Sequence, residues 1–269
     1  MVVKPIDILT IMLSWNRPKL LEKSIHSYFR TVSVSHNFYV VDNASNRQTV
    51  LLLKRLAKKY KFKVFYLNKN MGGRAFNIVL NHVDINNYRY FHFSENDLEY
   101  RPGWDKKLLK KMGVFQNVGQ LSLYSLEPEI EKGEIWASRP GVKLQRKNQV
   151  VFISPKNIGT TCIVRKELIK RGLRWKNVEK GKWRFPADSL FSMGVKKMGY
   201  KVAWNDRYLA TNWGHNIEEY QKEVDYYISN YTTKRIQLNG FINRLLEHGY
   251  QLVRREDGTF HIQRTNKEQ

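Results

Sequence analysis

The first 110 residues alternate between short apolar runs and stretches that are apolar only every third or fourth position. Ile6 to Trp15 is rich in Ile and Leu and reads as a buried strand. Asn16-Arg17-Pro18 then reads as a helix start, with Asn16 as its cap and Pro18 in the first turn. Leu21, Ile25 and Phe29, spaced by four, form that helix's apolar face. Asn37 to Val41 predicts a second strand, ended by the polar turn Asp42-Asn43-Ala44-Ser45. A second helix is expected from Gln48 to Tyr60, with Val50, Leu53 and Leu56 inward. Phe62 to Leu67 predicts a third strand, Arg74 to His82 a third helix, and the aromatic run from Tyr90 a fourth strand.

Strand and helix alternate with short connections, which predicts a parallel, doubly wound sheet with right-handed crossovers. In such sheets ligands bind beyond the carboxyl ends of the strands. The polar residues fall there: Ser14 and Asn16 after the first strand, Asp42 after the second, Gly72-Gly73-Arg74 after the third, Glu95-Asn96-Asp97 after the fourth. Four strand ends converging on one crevice say more than any one of them. At the fourth, Tyr90-Phe91-His92-Phe93 opens directly into acidic side chains, and carboxylates are costly to desolvate without a positive partner. Glu95 and Asp97, two apart in an extended segment, point to the same side. Hard cations such as Mg2+ or Mn2+ take oxygen ligands from one or two carboxylates together with substrate phosphates. An ordinary acidic strand end remains the plainer reading of this stretch alone. The absence of GxGxxG after the first strand disfavours dinucleotide binding, and no P-loop, HExxH or GxSxG occurs.

The second half is less regular. Gly119 to Tyr124 and Gln149 to Ile153 read as strands, with four glutamates and Trp136 between them. Arg174 to Phe185 interleaves Trp175 and Trp183 with lysines and arginines. Aromatic faces stack on sugar rings and cations hold phosphates, so an acceptor or lid loop fits, as do a structural loop and a single-stranded nucleic-acid site. Pro186-Ala187-Asp188 opens a helix with Leu190, Phe191, Val195 and Met198 apolar and Gly199 as its stop; Asp188 there also suits a helix cap. Tyr200 to Trp204 is a further strand. Tyr220, Val224, Tyr227 and Tyr231 suggest an aromatic-faced helix from Glu218, and Ile236 to Leu246 another. Tyr250 to Arg264 alternates around Asp257-Gly258 and predicts a β-hairpin.

Composition adds three constraints. The 269 residues, 42% hydrophobic and 13% aromatic, fill a sizeable core, so disorder is disfavoured. The single Cys162 excludes an internal disulfide and suits a reducing compartment. No apolar run approaches the ~20 residues that span a bilayer, and no signal peptide is read at the N-terminus. A cytoplasmic protein is expected, with peripheral membrane contact left open. The net charge of +23 draws nucleic acid, anionic lipid, or phosphate-bearing and acidic substrates.

Order and spacing of these segments resemble the family 2 glycosyltransferases of the GT-A fold. Ser14-Trp15-Asn16-Arg17-Pro18-Lys19-Leu20-Leu21-Glu22-Lys23-Ser24 looks like the family's opening, and Val40-Val41-Asp42-Asn43-Ala44-Ser45 is similar to its second-strand motif. Asn68 to Ala75 resembles the third, and Ser94 to Trp104 the acidic metal motif, with Glu95 where the family usually has Asp. Asn157 to Arg165 resembles the segment lining the donor sugar, and equally a plain core strand.

The resemblance implies an α/β fold: a GT-A type, doubly wound, mostly parallel sheet flanked by helices, with C-terminal helices and a terminal β-hairpin. It implies a catalytic domain over 1–215, with a nucleotide-binding half over 1–112 and an acceptor half over 113–215, followed by an extension over 216–269. The implied reaction is metal-dependent transfer of a sugar from a nucleotide-diphosphate donor to a hydroxyl acceptor, with inversion. Ser14, Asn16, Asp42, Arg74 and Asn96 would bind the donor, for which a UDP-sugar is the first expectation. Asp97, with Glu95 and His215, would hold Mn2+ or Mg2+, although a lone His is more often a hydrogen-bonding residue. Asp188 would be the general base; Trp175 and Trp183 would meet the acceptor, a glycan, glycolipid or other hydroxyl compound, anionic in keeping with the charge. Two other classes stay open: a nucleotidyltransferase on a similar fold, and a basic non-catalytic module for membrane or, less expected, nucleic acid.

Overall fold

A computed structural model describes residues 5–180, 183–185, 187–232 and 237–265, and for 178–180, 183–185, 230 and 237 the backbone alone. Along the chain run β1 (Ile6–Ser14), α1 (Pro18–Thr31), β2 (His36–Asp42), α2 (Arg47–Tyr60), β3 (Lys63–Tyr66), α3 (Phe76–His82), β4 (Tyr88–Ser94) and β5 (Leu98–Tyr100). There follow α4 (Trp104–Val114), β6 (Val118–Ser122), β7 (Val142–Arg146), β8 (Gln149–Ile153), β9 (Cys162–Arg165), α5 (Lys166–Lys170), β10 (Val178–Lys180), β11 (Trp183–Phe185), α6 (Ala187–Lys197) and β12 (Lys201–Asn205). The chain ends with β13 (Ala210–Asn212), α7 (Ile217–Lys222), α8 (Val224–Thr232), α9 (Gln237–Glu247), β14 (Tyr250–Arg254) and β15 (Phe260–Arg264).

By internal contacts the chain divides into two units. One comprises residues 1–126, 140–178 and 185–211, the other 127–139, 179–184 and 212–269. The first holds a mixed nine-stranded sheet in the order β3-β2-β1-β4-β9-β6-β12-β8-β7. The β1–β2, β1–β4, β2–β3 and β6–β12 pairs are parallel. β9 enters antiparallel between β4 and β6, and β8 and β7 close the far edge antiparallel. The expected doubly wound arrangement is therefore present over β1 to β4. Strand order runs outward from β1 to β2 and β3, then jumps back so that β4 flanks β1 on its other side. Ligand crevices of open α/β sheets form at such a reversal.

Ile8, Leu9, Ile11 and Met12 of β1 are all buried, as a strand covered on both faces requires. Tyr28 of α1 packs against Phe38, Tyr100 and Trp104, tying the first helix to three later segments. The polar ends of β1, β2 and β4 are thus carried on a close-packed support.

The second unit has its own core of Ile135, Ile217, Tyr220, Tyr227, Phe241, Leu245 and Ile262. Segment 127–139 belongs with it: Ile217 N donates to Gly133 O and Ile135 N to His215 O. The aromatic helix expected from Glu218 is two helices, α7 and α8, broken at Glu223, where φ is −124° and ψ 38°. The terminal hairpin forms as predicted, with Leu252 paired to Ile262 and the Asp257 carboxylate accepting from Thr259 N at the turn. No helix among the described residues is long and apolar enough to cross a membrane.

Candidate active site

β1 and β2 end in register, Ser14 beside Asp42, and Met12 of β1 pairs with Ser94 of β4. The residues just beyond these ends therefore share one rim. Ser14 and Asp42 are buried, yet Ser14 Oγ and Asp42 Oδ1 have no hydrogen-bond partner among the described residues. Leaving a polar atom buried and unsatisfied costs about 1–3 kcal/mol, so two such atoms side by side mark a surface shaped for a ligand. The other Asp42 oxygen accepts from Ser45 N at 3.2 Å. Asn43 accepts from Met71 N at 2.7 Å and donates to Gly72 O at 3.2 Å, holding the loop after β3 over the same rim. Arg74, at the end of that loop, is exposed and has no side-chain partner among the described residues.

Asn16 does not cap α1. Arg17 takes the N-cap position without a side-chain cap bond, and Asn16 and Arg17 both adopt left-handed backbone, with φ of 54° and 53°. Each such non-glycine residue costs of order 1–3 kcal/mol and persists only where its surroundings impose it. Here Asn16 N donates to Ser45 Oγ, Asn16 Oδ1 accepts from Asn46 N, and Asn16 O accepts from the Asn96 amide, at 2.9, 2.9 and 3.0 Å. The turn aims the Arg17 guanidinium across the reversal point at the acidic motif. One of its nitrogens donates to Asn96 Oδ1 at 2.9 Å and another pairs with Asp97 Oδ2 at 3.0 Å. Asp97 is 8% exposed, and its Oδ1 is buried without a hydrogen-bond partner among the described residues. Just past it, Leu98 N and Tyr100 N donate to Ser24 and Ser27 of α1, which fixes the segment.

The second acidic position lies at the start of α6. Asp188 sits inside the helix and not at its cap, its Oδ1 accepting from Ser189 N and its Oδ2 from the Asn157 amide, both at 2.8 Å. Burial pushes its carboxyl above the ordinary carboxylate range. The neighbouring thiol of Cys162 is pushed up to about 12, chiefly by burial and further by the carboxylates of Asp188 and Glu95. Glu95 and Asp188 thus both act on one buried thiol, so both acidic segments lie near it. Gly73 lets the loop after β3 approach the start of α6: a Cβ there would lie 2.8 Å from the Ala187 Cβ.

One expected site residue is placed elsewhere. Trp175 is a core residue, 1% exposed, its ring stacked on Phe191 at 4.1 Å and packed against Phe76 and Phe93. With its face already occupied, it has none to offer an acceptor. The side chain of Trp183 lies outside the described residues. His215 belongs to the second unit, where its ring stacks on Trp136 at 4.0 Å and its Nδ1 lies 3.3 Å from the Asn212 amide. Arg17, Asn43 and Asn157 were not singled out from the sequence. Each lay inside a quoted segment, Arg17 between a strand end and a proline, Asn43 beside Asp42, and Asn157 at the head of the run to Arg165, without being named a site residue.

A family model described as Glycosyl transferase family 2 matches residues 10–173. The fold is similar to that of the mannosyltransferase PcManGT from Pyrobaculum calidifontis, solved with GDP-Man and Mn2+: TM-score 0.53, 16% identity, 76% of this chain and 58% of that one covered. This chain thus spans little more than half of that protein. It is also similar to residues 1–349 of TarS from S. aureus, with a TM-score of 0.55 and 15% identity over 90% of this chain and 80% of that one. The same TarS fragment solved with UDP-GlcNAc aligns at a TM-score of 0.55 and 14% identity, with the same shares covered. No match was found among curated protein sequences.

Proposed function

The chain belongs to glycosyl transferase family 2, and from that premise we propose that it moves a sugar from a nucleotide-diphosphate donor to a hydroxyl acceptor with inversion, using a divalent cation. The observation that carries this reading is the row of buried oxygens at adjoining strand ends that have no hydrogen-bond partner among the described residues: Ser14 Oγ, Asp42 Oδ1 and Asp97 Oδ1. The first two suit the hydroxyl and N–H groups of a nucleoside. Solved neighbours hold GDP-Man with Mn2+, and UDP-GlcNAc, which supports a nucleotide-sugar donor; UDP is the first to try.

No group of three His, Cys, Asp or Glu side chains able to hold a metal occurs among the described residues. A GT-A cation does not require one, since Mg2+ is usually held by one or two carboxylates together with substrate phosphates. Asp97, an oxygen donor with an unsatisfied buried atom, fits that role, with Glu95 two residues before it. When bound, the cation neutralises charge on the leaving diphosphate. Arg74, exposed at the end of its loop, adds a second positive group.

Asp188 takes the proton of the acceptor hydroxyl. Its raised proton affinity brings it nearer the value a general base needs at neutral pH, and the Asn157 amide and Ser189 N–H fix its orientation. A base acting on the acceptor in a single displacement inverts the anomeric centre. The charge of +23 supports an acceptor with acidic groups or one presented at an anionic membrane surface.

The test is a thermal-shift series of nucleotides and nucleotide sugars, each with and without Mn2+. A UDP-sugar with Mn2+ is expected to raise the Tm, by an amount that at one hundred times Kd corresponds to about 2.7 kcal/mol. Failure of every nucleotide to shift the Tm, with or without cation, would overturn the proposal.

A further inference from the structure

Building on the donor site just proposed, we infer that Arg17 is the resident counter-ion of Asp97, exchanged for the divalent cation when the nucleotide diphosphate arrives. Oδ2 of Asp97 is held by the Arg17 guanidinium at 3.0 Å, and Oδ1 is buried with no hydrogen-bond partner among the described residues. A cation that binds this carboxylate through Oδ2 takes the guanidinium's place. The Arg17 side chain is itself largely covered, and its fork bridges Asn96 and Asp97 together, a geometry that a lysine cannot reproduce.

Leaving a charge buried after its partner is removed is strongly unfavourable. Displacement of Arg17 by a metal alone therefore strands the guanidinium beside a dication. A diphosphate changes this, because its oxygens accept the same forked donors that the carboxylate accepts. Metal and diphosphate then bind each other's half of the site: the cation takes Asp97, and the released Arg17 turns to the phosphates. The left-handed pair Asn16-Arg17 keeps the guanidinium over the reversal point between β1 and β4, within reach of either partner. The device makes cation binding weak without nucleotide and strong with it.

The experiment follows Mn2+ binding by electron paramagnetic resonance on the intact chain, with and without UDP, for wild type, Arg17→Gln and Asp97→Asn. In Arg17→Gln, affinity for Mn2+ alone is expected to rise about tenfold, and the UDP-dependent gain seen in wild type to shrink by a similar factor, a usual size for coupling between linked sites. Unchanged or weaker binding of Mn2+ alone in Arg17→Gln would overturn the inference. Should that variant fail to fold, Arg17→Lys, which keeps the charge but cannot bridge both partners, is read in its place, and a smaller rise is expected. If Asp97→Asn binds Mn2+ with UDP as well as wild type does, the cation site itself is misplaced, an outcome separate from failure of the exchange.

Discussion

Asp97 meets a guanidinium at 3.0 Å, whereas Asp188 meets the neutral amide of Asn157 and one backbone N–H, each at 2.8 Å. Both carboxylates lie at the mouth of the same sheet, and both are largely buried. The first is held in an ion pair by the adjacent guanidinium. The second has, among the described residues, neutral donors alone to offset its burial, and its proton affinity rises. The same side chain is thus prepared as a charge holder in one place and as a proton acceptor in the other. The partner sets the role, not the residue type.

That contrast can be tested at three points. The largest effect is expected from Asp188→Asn, which should lower kcat about 10²–10⁴-fold, the usual contribution of a general base, while nucleotide affinity measured by titration stays unchanged. Retention of full transfer would show that Asp188 is only a structural residue of α6. Asp97→Asn comes next. A loss of about 10²–10³-fold is expected, this time with the Mn2+-dependent part of donor stabilisation gone from the thermal melt. If the melt responds to Mn2+ as before, the two carboxylates do not divide the work as described.

The smallest effect concerns pH. Transfer requires Asp188 ionised, so kcat/KM should fall on the acid side at a pH above the ordinary carboxylate value. Donation by Asn157 favours the ionised form; Asn157→Ala removes it and moves that limb to still higher pH. A shift of about one unit corresponds to one hydrogen bond to a charged group. A limb that stays in place, or moves down, would mean that the amide does not act on this carboxylate.

Much of the first unit could be read from the chain alone. Strands over Ile6–Ser14, His36–Asp42, Lys63–Tyr66 and Tyr88–Ser94 match runs of apolar residues that have no other use, and the acids following Phe93 stood out against them. Asp188 was singled out through the family resemblance, and its place at a helix start equally suited a cap. The strand β9 over Cys162–Arg165 was read no more firmly than as a plain core strand, and its antiparallel entry between β4 and β6 was not foreseen. An apolar run of four residues carries no mark of its neighbours or of its direction. Trp175 was misjudged for a similar reason. A tryptophan among lysines and arginines looks like a surface platform, and only packing against Phe76, Phe93 and Phe191 shows that it faces inward.

Local sequence determined which segments became strands and helices, and which polar residues stood at the strand ends, because periodicity and turn chemistry act over a few neighbouring positions. The tertiary structure alone decided that Arg17 answers Asp97 across the gap between β1 and β4, that Asn157 orients Asp188, and that residues 127–139 join the C-terminal unit. Those pairings join positions between 31 and 80 or more residues apart. Such contacts depend on strand order and on the backbone angles of single residues, neither of which is written in the pattern of apolar and polar positions.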